Sequence, residues 1–148
     1  MSRCKQGGKM TDEVRRGAVL TPQASARLDE AVSLFARGEY HACHDVLEDL
    51  WREDGSPVRD IYKGVLQVGV AYWHAGRGNL RGALRLAVRG VEHLVPFMPS
   101  AFGLDLATLV EDVRHASRLW EEAAMRGDSA PDVPSPRLVR ATSPRPEE

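Results

Sequence analysis

The sequence predicts an all-α domain of about five helices, arranged as two stacked antiparallel helical hairpins plus a C-terminal helix. Three observations support this fold class. Hydrophobic residues recur at helical spacing almost everywhere between residues 21 and 127. Short runs rich in glycine and proline divide that region into five segments. The 148 residues, of which 43% are hydrophobic and 28% charged, suit one small globular domain.

Start and stop signals set the bounds of each predicted helix. Thr21 is a capping hydroxyl in front of a proline, and Asn79 is a second favourable N-cap. Gly38, Gly127 and the Gly-Ser-Pro run at residues 55–57 end helices. The five helices are predicted at residues 22–37, 39–54, 58–76, 79–95 and 104–126, with a proline-containing loop at 96–103.

Two of the predicted turns are similar to each other. Residues 38–42 and residues 78–83 each join two helices, at an offset of 40 positions. Each resembles the tight turn of a tetratricopeptide-type hairpin, but two such units fall short of the three or so that a repeat array needs. We therefore expect two stacked hairpins rather than a solenoid.

Both ends of the chain lack the periodic pattern. Residues 1–20 are predicted to be a flexible segment, with Met10 as an alternative start, and the helical domain spans 21–127. Residues 128–148 hold five of the nine prolines and are predicted to form a disordered Pro-rich tail. No apolar run suits a signal peptide or a membrane span. With Cys4 and Cys43 as free thiols, we expect a soluble cytoplasmic protein.

The third predicted helix is hydrophobic on nearly every side, which is typical of a central, buried helix. Its small residues form a stripe that would let another helix approach closely: Gly64, Ala71 and Ala75. Three polar residues share one line along this helix: Lys63, Gln67 and His74. A buried amide or imidazole without a partner costs about 1–3 kcal/mol, so a polar surface is expected to face that line.

The second predicted helix offers such a surface, because His41, His44, Glu48 and Arg52 lie along one edge of its apolar face. A short loop joins the two helices, so they are expected to pack as an antiparallel hairpin. This register predicts an ion pair between Glu48 and Lys63 and a contact between His44 and Gln67. We call this set of residues the polar seam, and its role is expected to be either functional or structural. Its members are His44, Glu48, Trp51, Lys63, Gln67 and His74.

Three stretches resemble the signature of the family called domain of unknown function 309. They lie at residues 35–51, 62–74 and 78–84, and the resemblance extends over roughly 24–113. The matching residues are His44, Glu48, Trp51, Gln67, Gly78 and Asn79, whereas Asp45 stands where the family usually has Glu. The resemblance implies an all-α fold and no activity.

The sequence leaves three functions open, the first being a binding or scaffolding module for an unknown ligand or protein partner. The second is a metal-dependent or acid–base enzyme in which His44, Glu48 and His74 hold a divalent metal, since His44 and Glu48 are four residues apart on one helix. No Glu-x-x-His or His-Glu-x-x-His motif accompanies them. The structural alternative is a core hydrogen-bond network that sets the register of the two helices.

The third function is RNA or anion binding through Arg81, Arg85 and Arg89, which share one face of the fourth predicted helix. Two observations weigh against a nucleic-acid partner. The net charge is only −1, and the second helix carries six acidic side chains that are expected to lie beside the arginines and neutralise them. The sequence also leaves open whether the chain forms a homo-oligomer.

Overall fold

The computed structural model describes residues 20–141 and confirms the all-α fold with five α-helices. The α-helices are α1 (Pro22–Ala36), α2 (Tyr40–Glu53), α3 (Asp60–Gly76), α4 (Leu80–Leu94) and α5 (Leu106–Arg126). Short 3-10 turns lie at Pro57–Arg59 and Val95–Phe97. None of the described helices is both long and apolar enough to cross a membrane.

Local hydrogen bonds explain where the helices begin. The Thr21 hydroxyl oxygen accepts from the Ala24 amide at 3.0 Å, and the Asn79 side chain accepts from the Gly82 amide at 2.9 Å. Both contacts satisfy amides that a helix start leaves unpaired. The turns that follow α1 and α3 place Gly38 and Gly78 at φ values of 77° and 85°, which favour glycine.

Successive helices pack against each other, and α3 lies at the centre. The α2 side of α3 is in contact at Gly69, where an added Cβ would be 3.2 Å from the Tyr40 ring. The α5 side is in contact at Tyr72, whose ring meets Trp120 edge-on at 5.0 Å. This central position confirms the prediction drawn from the hydrophobic character of the helix.

The closest helix approach lies between α3 and α4. A Cβ on Gly64 would be 3.0 Å from the Gly90 carbonyl oxygen, and a Cβ on Gly90 would be 3.0 Å from the Gly64 carbonyl oxygen. The two backbones therefore meet at a pair of glycines. The predicted small-residue stripe begins at this crossing, with Ala71 and Ala75 also buried on α3.

The segment between α4 and α5 is more regular than the loop expected at residues 96–103. Ser100–Ala101 (β1) pairs antiparallel with Leu104–Asp105 (β2). Helix α5 begins two residues later than expected because Asp105 acts as its N-cap: its carboxylate accepts from the Thr108 amide at 3.0 Å. The same carboxylate accepts from the Thr108 hydroxyl at 2.7 Å.

The structure differs from the expected disorder over residues 128–141, which we call the C-terminal strap. Leu138 is buried, the Val139 carbonyl accepts from the Asp105 amide at 3.0 Å, and the Ala141 amide donates to Gly103 at 2.7 Å. Prolines disfavour helix but allow an extended segment to pair at a strand edge. Residues 1–19 and 142–148, which include the rest of the two predicted flexible ends, lie outside the described residues.

Two arginines fasten the C-terminal strap. Arg137 donates to both carboxylate oxygens of Asp112 on α5, at 2.8 and 3.0 Å. Arg140 donates to the Asp29 carboxylate at 2.8 Å and to the Ser25 carbonyl at 3.0 Å, both on α1. The strap therefore connects the last helix, the small hairpin and the first helix.

Asp112→Asn is expected to loosen the strap without unfolding the helices. The hydrogen bonds from Arg137 hold the pKa of the Asp112 carboxyl below its ordinary value. A depressed carboxyl pKa stabilises the fold at neutral pH, and this contribution is lost as the pH falls from about 4 through the lowered pKa. The Arg137 backbone amide donates to the Asp112 carboxylate at 2.9 Å, so hydrogen exchange should show a lower protection factor for this amide in Asp112→Asn at pH 7, and in the wild type as acid is added. Glu121→Gln, on the exposed side of the same helix, is the control and should change neither; equal protection in Asp112→Asn would contradict the prediction.

Candidate functional site

The residues singled out on α3 lie on a half-exposed side that we call the open face. It comprises six α3 residues spaced by three or four positions, flanked by α2 and α4, and each is intermediate in exposure: Lys63, Leu66, Gln67, Val70, Trp73 and His74. The three polar residues predicted to share one line, Lys63, Gln67 and His74, therefore do lie on one side of α3. This line lies at the surface between α2 and α4, however, and the packed interface with α2 passes through Gly69 instead.

Trp51 and Trp73 stand at opposite ends of this face, and cations cover both rings. The Arg59 guanidinium lies 4.3 Å and the Lys63 ammonium 4.6 Å from the Trp51 ring centroid. The Arg77 guanidinium lies 5.0 Å from the Trp73 centroid. Cation–π contacts of this kind contribute about 0.5–1 kcal/mol at exposed sites.

The predicted ion pair between Glu48 and Lys63 is wrong. Glu48 pairs within its own helix, with Arg52 at 3.1 Å and with the His44 ring nitrogen at 3.7 Å. A partner one helical turn away is already in reach, whereas Lys63 contacts the Trp51 ring. Glu48 on this edge of α2 therefore contacts side chains of its own helix and does not form the predicted ion pair with α3.

The predicted contact between His44 and Gln67 is also not formed. The Gln67 side-chain carbonyl oxygen is buried without a hydrogen-bond partner, and so is the indole nitrogen of Trp51. His74 instead lies 3.4 Å from the Asn79 side-chain nitrogen, at the end of α3. The polar seam is therefore a set of separate contacts rather than a connected network.

The hydrophobic character of this helix on nearly every side predicts burial for Trp73, but the Trp73 ring contacts surface groups. Its centroid lies 4.8 Å from the His41 ring and 5.2 Å from the His74 ring. Val70, one turn earlier, is likewise half-exposed, and neither side chain packs against the buried core. The signal available in the sequence was the position of Val70 on the same line as Lys63 and His74, with Trp73 beside that line.

The residues proposed for metal binding do not meet. Among residues 20–141, no group of three or more histidine, cysteine or acidic side chains is arranged to hold a metal ion. His44 and Glu48 are neighbours on α2, whereas His74 contacts Asn79. The expected three-residue metal site of His44, Glu48 and His74 is thus absent from the described part of the chain.

Cys43 is also a structural residue in this environment. Its side chain is 3% exposed and donates to the Ala31 carbonyl oxygen at 3.4 Å. Burial raises the pKa of the thiol to about 12. The thiol is therefore protonated at neutral pH and shielded from any substrate.

The arginine stripe on α4 is exposed, and the structure corrects its expected neutralisation. Arg81, Arg85 and Arg89 are exposed and form no ion pair within residues 20–141. Because α3 lies between α2 and α4, the acidic side chains of α2 do not lie side by side with these arginines. The charges of the two flanking helices stay separated across the open face.

Fold and site together define a small all-α domain with a half-exposed helical face that carries two tryptophans. Residues 28–86, from α1 into α4, match the model of the family described as domain of unknown function (DUF309). This match confirms, over residues 28–86, the resemblance that the three sequence motifs indicate. The match is shorter than the expected 24–113, and α5 and the C-terminal strap lie outside it.

One curated relative is similar over part of its length. It is the uncharacterized protein YpuF of Bacillus subtilis (strain 168), which is 37% identical over 70 residues. The aligned region covers 47% of this chain and 40% of that protein. The chain therefore spans less than half of the relative that it matches.

Proposed function

We propose that this domain is a protein-binding module and that the open face is its recognition surface. The observation that carries the proposal is the position of Val70 and Trp73, which are half-exposed at the centre and one end of the face and do not pack against the core. Interface cores are enriched in tryptophan and depleted of charge, and a few aromatic anchors dominate binding energy.

The surroundings of Trp73 support this role. Two imidazoles and one guanidinium hold the indole ring in place: those of His41, His74 and Arg77. A side chain already held in one orientation loses less conformational entropy when a partner binds. A partner that covers the ring would also remove water from the three surrounding groups.

Gln67 gives the face a polar element near its centre. Its side-chain carbonyl oxygen has no partner in the free domain, and an unpaired buried polar atom costs about 1–3 kcal/mol. After a rotation of the amide that brings the oxygen to the surface, a donor from a bound partner would recover part of that cost. The arrangement suits a protein surface with both apolar and polar groups.

The proposal predicts that Trp73→Ala weakens partner binding at least about tenfold, because truncating an interface tryptophan typically costs 2 kcal/mol or more. A photo-crosslinking amino acid at position 70 should identify the partner in the organism that encodes the chain. Titration of the purified partner then measures affinity for wild type and variant. The helical fold of Trp73→Ala should persist, since the ring does not pack against the core.

The control variant is Arg114→Ala on the exposed side of α5, with the same crosslinker placed at position 114 as its counterpart. Equal adducts from positions 70 and 114, or an unchanged affinity for Trp73→Ala, would contradict the proposal. Adducts to nucleic acid in place of protein would contradict it as well, and would favour the arginine stripe as an RNA-binding surface.

A further inference from the structure

We infer that the partner on the open face is a second copy of this chain, related by a two-fold axis that runs along α3. This inference rests on the proposed function, because it assigns an occupant to the same face. It is carried by the charges of the two helices that flank the face and by their register along α3.

The two flanking edges carry opposite charges. Glu48 is already paired with Arg52 at 3.1 Å, whereas Asp45, Arg85 and Arg89 form no ion pair with a Lys, Arg, Asp or Glu side chain among the described residues. On α2, the Asp45 carboxylate is 86% exposed, and a ring nitrogen of His44 lies 3.8 Å from it. Glu48, one turn later, points to the same edge. On α4, Arg85 and Arg89 are exposed and form no ion pair among the described residues.

The helix contacts place these charges at the same level along α3. The crossing of Gly64 and Gly90 fixes the register of α3 against α4. The contacts of Trp51 with Lys63, and of His41 with Trp73, fix the register of α2 against α3. Counting along the antiparallel helices from these contacts, Asp45 lies level with Arg85, and Glu48 lies level with Val88, the residue before Arg89.

Symmetry then selects one arrangement. A two-fold axis along α3 keeps the level of each residue but exchanges the two flanks, so that each α2 lies opposite the partner's α4. Carboxylates then meet guanidinium groups twice, once on each side of the axis. An axis across the helices would place α2 on α2 and α4 on α4, where like charges oppose each other and disfavour assembly.

The centre of the face suits the same axis. Residues of α3 meet their own counterparts, which brings together the two Val70 side chains and the two Gln67 amides. One amide can donate to the other, and this would give the unpartnered Gln67 oxygen a donor after a rotation of the amide. The Lys63 ammonium does not oppose this contact, because it is directed over the Trp51 ring.

Sedimentation of the purified full chain over a wide concentration range tests the inference. We expect a dimer, weakened roughly tenfold or more by Asp45→Arg and by Arg85→Asp, because each variant opposes like charges twice. An equimolar mixture of the two variants should dimerise as strongly as the wild type, since the mixed dimer pairs opposite charges at both positions. Arg118→Asp on the exposed side of α5 is the control and should leave the dimer intact.

The outcomes separate this inference from the proposed function. A chain that stays monomeric at all concentrations, or variants that are not rescued by mixing, would overturn the dimer. Crosslinks from position 70 to a different protein would also overturn it, yet would support the protein-binding face. Crosslinks from position 70 to this same chain, together with rescue on mixing, would support both.

Discussion

Trp120→Ala is expected to lower the free energy of unfolding by about 3–5 kcal/mol, the largest effect of any single substitution proposed for this chain. Trp120 is 0% exposed and lies on α5, where its ring meets Tyr72 of the central helix edge-on. Alanine would leave a cavity between the two helices that rigid neighbours fill only in part. Urea or thermal unfolding followed by circular dichroism measures the loss.

Two further variants make the Trp120 prediction specific. The indole nitrogen of Trp120 is buried without a partner, so Trp120→Phe removes an unpaired donor while it keeps an aromatic ring. We expect its loss to be less than about half that of alanine. Met125→Ala, at an 81% exposed position on the same helix, should change stability by less than about 0.5 kcal/mol. A loss below about 1 kcal/mol for Trp120→Ala would contradict the tight packing of this interface.

Gly90→Val is expected to lower the free energy of unfolding by about 2–3 kcal/mol or more. A Cβ at this position would lie 2.9 Å from the Val68 side chain, 3.0 Å from the Gly64 carbonyl oxygen and 3.2 Å from the Val68 amide nitrogen. Two of these neighbours are backbone atoms, so relief requires α3 and α4 to move apart. That separation would disturb packing along the whole interface of the two helices.

Gly76→Val is the matched control for the glycine crossing. Gly76 is the last residue of α3, and a Cβ there would meet nothing within 4 Å. Its change in unfolding free energy should stay within about 0.5 kcal/mol. Chemical denaturation of both variants measures the contrast. Equal stabilities for Gly90→Val and Gly76→Val would show that the two helices can separate without cost.

The parts of the fold that were predictable depend on local or periodic signals. Thr21 and Asn79 cap helices through hydrogen bonds that span three residues, so the neighbouring sequence specifies them. The central position of α3 follows from its hydrophobic character on nearly all sides. The turns at Gly38 and Gly78 follow from a backbone conformation that glycine adopts readily.

The sequence predicted the candidate site in outline. The line of Lys63, Gln67 and His74 exists in the structure, but it faces outward and not towards α2. The sequence could not decide between two partners of similar energy for Lys63. An exposed ion pair contributes about 0–1 kcal/mol and an exposed cation–π contact a similar amount, so the choice depends on geometry. The structure resolves it in favour of the Trp51 ring.

The order of the C-terminal strap was missed for a different reason. Its proline content is typical of disordered tails, and composition alone does not separate an unstructured segment from an extended one that is held in place. The contacts that hold it join positions far apart in the sequence: Arg137 meets a carboxylate 25 residues away, and Arg140 one 111 residues away. No local pattern reveals such partners.

The C-terminal strap has a consequence for the order of folding. Arg140 contacts the Ser25 carbonyl across 115 residues of chain, so the entropic cost of closing this loop favours formation of the contact after the intervening helices have folded. A ribosome must therefore release nearly the whole domain before the first helix gains its last contact. The helical hairpins can assemble during synthesis, whereas Arg140 can join the C-terminal strap to α1 only after residue 140 has been synthesised.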